Sequence, residues 1–82
     1  MKVRTSDVNY LNAVKEWFDV LLPKIKNYMY HNGGPVILVQ IENEYGSFGC
    51  DYNYTGTLRD WAKAGLGSYT KTYTKFKILT FV

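Results

Sequence analysis

Several features that would define a class of protein are missing from this sequence of 82 residues. Cys50 is the only cysteine, which excludes an intrachain disulfide and a zinc site built from several thiolates. No apolar run approaches the roughly 20 residues of a membrane span, so we expect no membrane-spanning segment. Residues 1–7 lack the apolar core of a signal peptide, so the sequence taken literally predicts a cytoplasmic location.

The chain also lacks a strong excess of charge. Ten basic and seven acidic residues give a formal net charge of +3. Half of the basic residues lie near the end of the chain, interleaved with Thr and Tyr: Arg59, Lys63, Lys71, Lys75 and Lys77. No helix carries a dense Arg or Lys stripe, so this pattern is typical of a solvated face and we expect no nucleic-acid binding.

The first half of the chain predicts one long helix. Apolar residues recur at steps of three and four from Ser6 to about Tyr30, which defines one helical face. Ser6 or Asp7 can cap its start. Pro23 removes a backbone donor within the pattern, so we expect either a kink or two consecutive helices there. The turn at 32–35, which contains two glycines, then ends the helix.

A buried strand and a second α-β pair follow. The run Val36–Ile41 is apolar and largely β-branched, which predicts a strand buried on both faces, as in a parallel sheet. Residues 45–53 are predicted as a loop, and Thr55–Ala64 as a short helix ended by Gly65. Residues 68–82 have strand propensity. The order α-β-α-β predicts the α/β class, and the chain is a slice of such a fold that cannot close a barrel by itself.

The polar cluster at the end of the strand carries the chemistry. Glu42, Asn43 and Glu44 follow the apolar run directly, and Gly46 comes after them. Paired carboxylates at a strand end are used most often in glycoside hydrolysis. Glu44 is the candidate general acid for that reaction, and Asn43 offers a donor and an acceptor for a sugar hydroxyl. With regular alternation, Glu42 shares the face of Glu44, where its charge would keep Glu44 protonated or orient a neighbour. The alternative is a solvated turn without a ligand.

The string from Asn32 to Gly46 resembles the signature of glycoside hydrolase family 35, the acid β-galactosidases of animals and plants. The helix before it, with Leu21-Leu22-Pro23-Lys24, and the loop Ser47–Tyr52 are also similar to animal members. The resemblance covers roughly residues 4–61. It implies a retaining hydrolase on a (β/α)₈ TIM barrel that acts on terminal β-linked galactose. Glu44 is then the acid/base and Asn43 contacts galactose, with Glu42 and Tyr45 in supporting positions.

The resemblance also implies what this chain does not contain. The nucleophilic glutamate of the family lies on a later strand, and no residue here matches its motif. Residues 1–61 are predicted as a fragment of the catalytic barrel and residues 62–82 as a divergent tail. Family members are lysosomal or secreted, and there the cysteine that matches Cys50 is paired with a later one. The triplet at Asn53 is a glycosylation sequon only if the chain enters the secretory route.

The sequence therefore predicts a β-galactosidase-like glycoside hydrolase, here as a truncated chain that is inactive alone. Its substrate in the full-length relative is a β-galactoside, and we expect no metal and no cofactor. The alternative is a non-catalytic pseudoenzyme or interaction fragment that retains the motif. Activity against a chromogenic β-galactoside separates the two.

Overall fold

The structure of the protein is a computed structural model that describes residues 1–75. Its elements in chain order are the helix α1 (Val8–Lys26), the strand β1 (Val39–Asn43), the helix α2 (Tyr52–Leu66) and the strand β2 (Thr72–Lys75). Single 3₁₀ turns at Tyr30–Asn32 and Tyr45–Ser47 lie between them. The predicted α/β class and the order α-β-α-β are confirmed.

The two strands form a parallel pair, with Val39 opposite Thr72 and Gln40 opposite Tyr73. Consecutive parallel strands need a crossover, which α2 supplies, so β1, α2 and β2 form a βαβ unit. The register is irregular between Gln40 and Asn43, where the end of β1 departs from the regular ladder. This irregularity lies at the polar cluster that the sequence singles out.

The core lies where α1 and α2 pack against each other and against β1. One group of buried residues joins the end of β1 to α2: Ile41, Tyr45, Tyr54, Leu58 and Ala62. A second group joins α1 to the end of α2: Leu22, Met29 and Leu66. Phe18 and Val39 pack against both groups, so the apolar interior is continuous. The end of β1 is therefore attached to a packed helix pair.

The first helix is shorter than predicted and is not divided. Asp7 is its N-cap and accepts a hydrogen bond from the backbone N–H of Tyr10, as predicted. Pro23 lies inside the single helix α1, so of the two alternatives the division into two helices is wrong, and the kink stays a prediction. The helix ends at Lys26 and not near Tyr30, because Val36 exchanges backbone hydrogen bonds with Tyr28 and Tyr30.

The strand predicted at Val36–Ile41 begins three residues later and ends two residues later in the structure. Val36 forms only an isolated bridge with Met29, and β1 begins at Val39. The prediction of burial on both faces is wrong for this chain, since Ile37 and Leu38 keep 65% and 48% of their surface exposed. In the described residues β1 pairs only with β2. Ile37 and Leu38, just before β1, therefore have neither a second neighbour strand nor a covering layer.

The second helix is longer than predicted at both ends. It begins at Tyr52, inside the predicted loop, because the Asp51 side chain caps it by accepting from the Tyr54 N–H. The predicted stop at Gly65 is wrong. Gly65 lies within α2, where a Cβ would approach Leu22 Cδ1 to 2.6 Å. The helix ends at Leu66, and Gly67 follows as its C-cap with a φ of +119°. β2 lies inside the predicted strand segment, whose part beyond residue 75 is outside the described residues.

We expect the isolated chain to associate through Ile37, Leu38 and the free edge of β1. Exposed apolar side chains beside an unpaired strand edge favour intermolecular pairing. Ile37→Lys should raise the concentration at which the chain stays monomeric, as measured by sedimentation velocity. Val8→Lys is the matched control, because Val8 is exposed to 70% on α1. A monodisperse unsubstituted chain, or an equal effect of both variants, would contradict this expectation.

Candidate active site

The backbone at the end of β1 leaves the extended conformation twice. Glu42 has a φ of +66° and Glu44 a φ of +53°. The left-handed conformation costs a residue with a side chain about 1–2 kcal/mol, so surrounding contacts must hold it in place. The predicted regular alternation from Gln40 through Glu42 to Glu44 is therefore wrong, and the two glutamates have different surroundings.

The Glu42 carboxylate is fully engaged by protein donors. Arg4 binds it in a bidentate manner, with Nε 2.9 Å from Oε2 and Nη2 2.6 Å from Oε1. The Tyr54 hydroxyl donates to Oε2 at 2.6 Å, and the backbone N–H of Asn43 donates to Oε1 at 3.0 Å. Only 9% of the Glu42 side chain is exposed. Glu42 is thus the centre of a hydrogen-bonded network, and its charge is neutralised by Arg4.

These contacts fix the protonation states of the network. Burial opposes ionisation of Glu42, but the hydrogen bonds from Arg4, Tyr54 and the Asn43 N–H outweigh it and hold the pKa of Glu42 below its usual value. The hydrogen bond to Glu42 raises the pKa of Arg4. Burial, followed by the hydrogen bond to Glu42, raises the pKa of Tyr54. Glu42 is therefore an ionised acceptor and Tyr54 a neutral donor.

Tyr45 ties the segment before α1 to this network. Its ring is buried, and its hydroxyl donates to the Arg4 carbonyl oxygen at 2.8 Å and accepts from the Asp51 N–H at 3.3 Å. Asp51 accepts from the backbone N–H and the hydroxyl of Ser6. Tyr45 therefore holds the backbone of Arg4, which places the guanidinium opposite Glu42.

Asn43 is exposed, and its amide is oriented by Gln40. Gln40 Nε2 donates to Asn43 Oδ1 at 3.0 Å, and Tyr73 donates to Gln40 Oε1 at 3.0 Å. In the described part of the chain, Asn43 Nδ2 has no hydrogen-bond partner. The bond from Gln40 fixes which end of the amide is the oxygen, and the Nδ2 group is left with both of its hydrogens to donate.

Glu44 differs from Glu42 in every contact. Its side chain is half-buried. Among the residues whose side chains the structure describes, its carboxyl makes no hydrogen bond and no ion pair. A cavity of about 650 Å³ beside Arg4 and another of about 300 Å³ beside Glu42 are both lined without Glu44. The structure thus separates one carboxylate that Arg4 and Tyr54 engage from one that no described side chain engages.

Sequence reasoning found Glu42, Asn43, Glu44 and Tyr45 but missed Arg4 and Tyr54. Arg4 lies 38 residues before Glu42 and Tyr54 lies 12 residues after it. A single arginine before a helix and a tyrosine near a helix start carry no local pattern that points to a carboxylate. Only the packing of α1 and α2 against β1 brings them together.

The chain belongs to glycosyl hydrolases family 35, whose sequence pattern matches residues 1–78. It is 53% identical over 74 residues to "Beta-galactosidase 17" of Arabidopsis thaliana, which is 90% of this chain and 11% of that protein. It is 51% identical over 73 residues to "Beta-galactosidase" of Homo sapiens, covering 88% of this chain and 11% of the human protein. The chain thus spans about a tenth of the length of these relatives.

The ion pair predicts a specific acid response. Because the folded-state pKa of Glu42 is lowered, its stabilising contribution is present above the unfolded value of about 4.3 and is lost as the pH falls through the folded pKa. We expect the ¹³C carboxyl resonance of Glu42 to titrate below pH 4.3. Arg4→Gln should move this midpoint upward. Arg59→Gln, which removes an exposed ion pair with Asp60, is the control and should leave it unchanged.

Proposed function

We propose that this chain is the part of a β-galactosidase that carries the catalytic acid/base, Glu44. The observation that carries the proposal is the contrast between the two glutamates of one strand end. Glu42 is ionised and saturated with hydrogen bonds, whereas Glu44 is half-buried with an unengaged carboxyl in the described residues. Proton transfer to a leaving oxygen needs a carboxyl of the second kind.

The proposed architecture is a segment of a (β/α)₈ TIM barrel. The parallel βαβ unit is the repeat from which such barrels are built, and the site lies at the carboxyl end of β1. Catalytic groups of these barrels project from that end of the strands. Closure of the barrel requires strands that this chain does not contain. The boundary after residue 61, with 62–82 as a divergent tail, stays a prediction.

In the proposed reaction Glu44 protonates the glycosidic oxygen as the bond to the anomeric carbon breaks. It then removes a proton from the water that attacks the glycosyl-enzyme. Asn43 donates from Nδ2 to a sugar hydroxyl, and Gln40 keeps that amide in place. Glu42 orients the strand end and takes no part in proton transfer. The nucleophilic carboxylate comes from another strand of the intact protein.

The intact protein is proposed to act in the lysosome or outside the cell, where Asn53 would be available for glycosylation. The structure places Asn53 on the exposed surface of the first turn of α2 and buries Thr55 of the same triplet. Within residues 1–75, no helix is both long and apolar enough to cross a bilayer.

A chimera tests the proposal. Residues 1–78 of this chain replace the matched segment of the Arabidopsis relative, and release of a chromogenic aglycone from a β-galactoside is measured. We expect turnover, and we expect Glu44→Gln to lower it. A folded chimera that binds galactose without turnover would favour the alternative, a non-catalytic protein that retains the motif.

A further inference from the structure

All positive-φ residues other than glycine in the described part of the chain lie at this strand end or bind to it. They are Arg4, Glu42 and Glu44. We propose that Arg4 and Tyr54 are positioning residues, which act through Glu42 to hold the backbone that aims the Glu44 carboxyl at the leaving oxygen. The inference rests on the proposed function of Glu44. Neither residue needs to touch the substrate.

Hydrogen bonds clamp the backbone between Glu42 and Glu44. The Asn43 N–H donates to Glu42 Oε1 at 3.0 Å, and Arg4 Nη2 donates to the Asn43 carbonyl oxygen at 3.0 Å. These contacts engage both peptide groups that join Glu42 to Glu44. A rotation of either peptide that restores an extended backbone would break one of these hydrogen bonds. Strained backbone persists only where its surroundings over-determine it, and this clamp meets that condition.

The two side chains that donate to Glu42, Tyr54 and Arg4, are held rigidly by their neighbours. Tyr54 is 2% exposed, and its ring lies 5.3 Å from the ring of Tyr45 and 5.9 Å from that of Tyr10. The Arg4 guanidinium lies 4.1 Å from the centre of the Phe48 ring and is fixed at its backbone by Tyr45. Tyr54 therefore belongs to the packed core, whereas Arg4, with 29% of its side chain exposed, is held at the edge of that core by Phe48 and Tyr45. Both donors transmit the position of α1 and α2 to the strand end.

Loss of Arg4 or Tyr54 should have a characteristic effect on the kinetics. If these residues aim an acid, their loss must slow the step that needs the proton more than it weakens substrate binding. Aryl β-galactosides with good leaving groups need little protonation for departure, whereas alkyl β-galactosides need it fully. A merely structural role would lower the amount of folded protein and affect both substrates equally. The leaving-group dependence therefore separates positioning from stability.

The test uses Arg4→Gln and Tyr54→Phe in the chimera. We expect kcat for an alkyl β-galactoside to fall by up to about 100-fold, with KM nearly unchanged. For a dinitrophenyl β-galactoside we expect a much smaller loss of kcat/KM, because kcat/KM reports the first step and this leaving group needs little protonation. Arg4→Lys keeps the charge without the bidentate geometry and should recover only part of the rate. Arg59→Gln and Tyr28→Phe are the matched controls, because neither residue contacts Glu42, and both should retain full activity.

A second measurement does not depend on activity. In the 82-residue chain, backbone chemical shifts and the HN–Hα coupling of Glu44 report its φ. Tyr54→Phe and Arg4→Gln should move Glu44 away from the left-handed conformation. An unchanged backbone, or equal kinetic losses for both leaving groups, would overturn the inference. If Glu44→Gln has no effect in an active chimera, the proposed function fails instead, and the backbone measurement alone decides whether the clamp exists.

Discussion

Glu44→Gln is expected to lower kcat/KM of the chimera for an alkyl β-galactoside by about 100- to 10,000-fold, the range that general acid-base catalysis supplies. Glutamine keeps the size and shape of the side chain but can neither give nor take the proton. In the described residues Glu44 makes no hydrogen bond that the substitution would break. The loss should therefore appear in the chemical step and not in folding, which thermal denaturation of both proteins checks.

A series of β-galactosides with different leaving groups tests the same assignment further. In the first step of a retaining mechanism, a good leaving group departs with little protonation, so the loss should be smaller for a dinitrophenyl β-galactoside. Glu42→Gln is the matched control, since it removes a carboxylate two residues away. We expect it to be less damaging to turnover and to affect all leaving groups similarly. If Glu42→Gln proves more damaging than Glu44→Gln across the series, the assignment of the acid is reversed.

Local sequence patterns predicted which helices and strands form better than they predicted where each one begins and ends. The cap was predicted at Ser6 or Asp7, because an oxygen-bearing side chain before an apolar helical stripe meets the unpaired N–H groups of the first turn, and the structure selects Asp7. Gly65 was misread as a stop, because glycine also appears inside a helix where two helices approach closely. That reason is visible only when Leu22 is placed against it. Element ends thus depended on tertiary contacts that the spacing of residues does not contain.

The candidate site was also predicted only in part from the sequence. The motif identified Glu44 and Asn43 because a polar cluster after an apolar run marks the end of a strand. It named Glu44 as the acid, but it left two roles open for Glu42, which could keep Glu44 protonated or orient a neighbour. The difference between the two glutamates arises from Arg4 and Tyr54, which lie on other elements. The left-handed backbone at Glu42 also has no sequence signal, because this conformation favours glycine or asparagine.

The 82-residue chain alone is expected not to hydrolyse β-galactosides. A retaining mechanism needs a second carboxyl group about 5 Å from the first, on the opposite side of the anomeric carbon. All seven acidic residues of the chain lie within the described residues. Glu42 is bound to Arg4 and lies only two residues from Glu44 at the same strand end. It therefore cannot flank the sugar from the other side. The other five lie on the helices or cap them: Asp7, Glu16, Asp19, Asp51 and Asp60.

An inverting reaction does not rescue the chain, because it needs a base about 6.5–9.5 Å from the acid and a pocket that holds water between them. Glu44 lines neither of the cavities beside the network, and Asp51, the carboxylate nearest to it in sequence after the motif, is engaged by Ser6 and Tyr54. Release of a chromogenic aglycone should therefore equal background at acidic and neutral pH, with the chimera as the positive control. Turnover by the chain that disappears in Glu44→Gln would show that a second catalytic group has been overlooked.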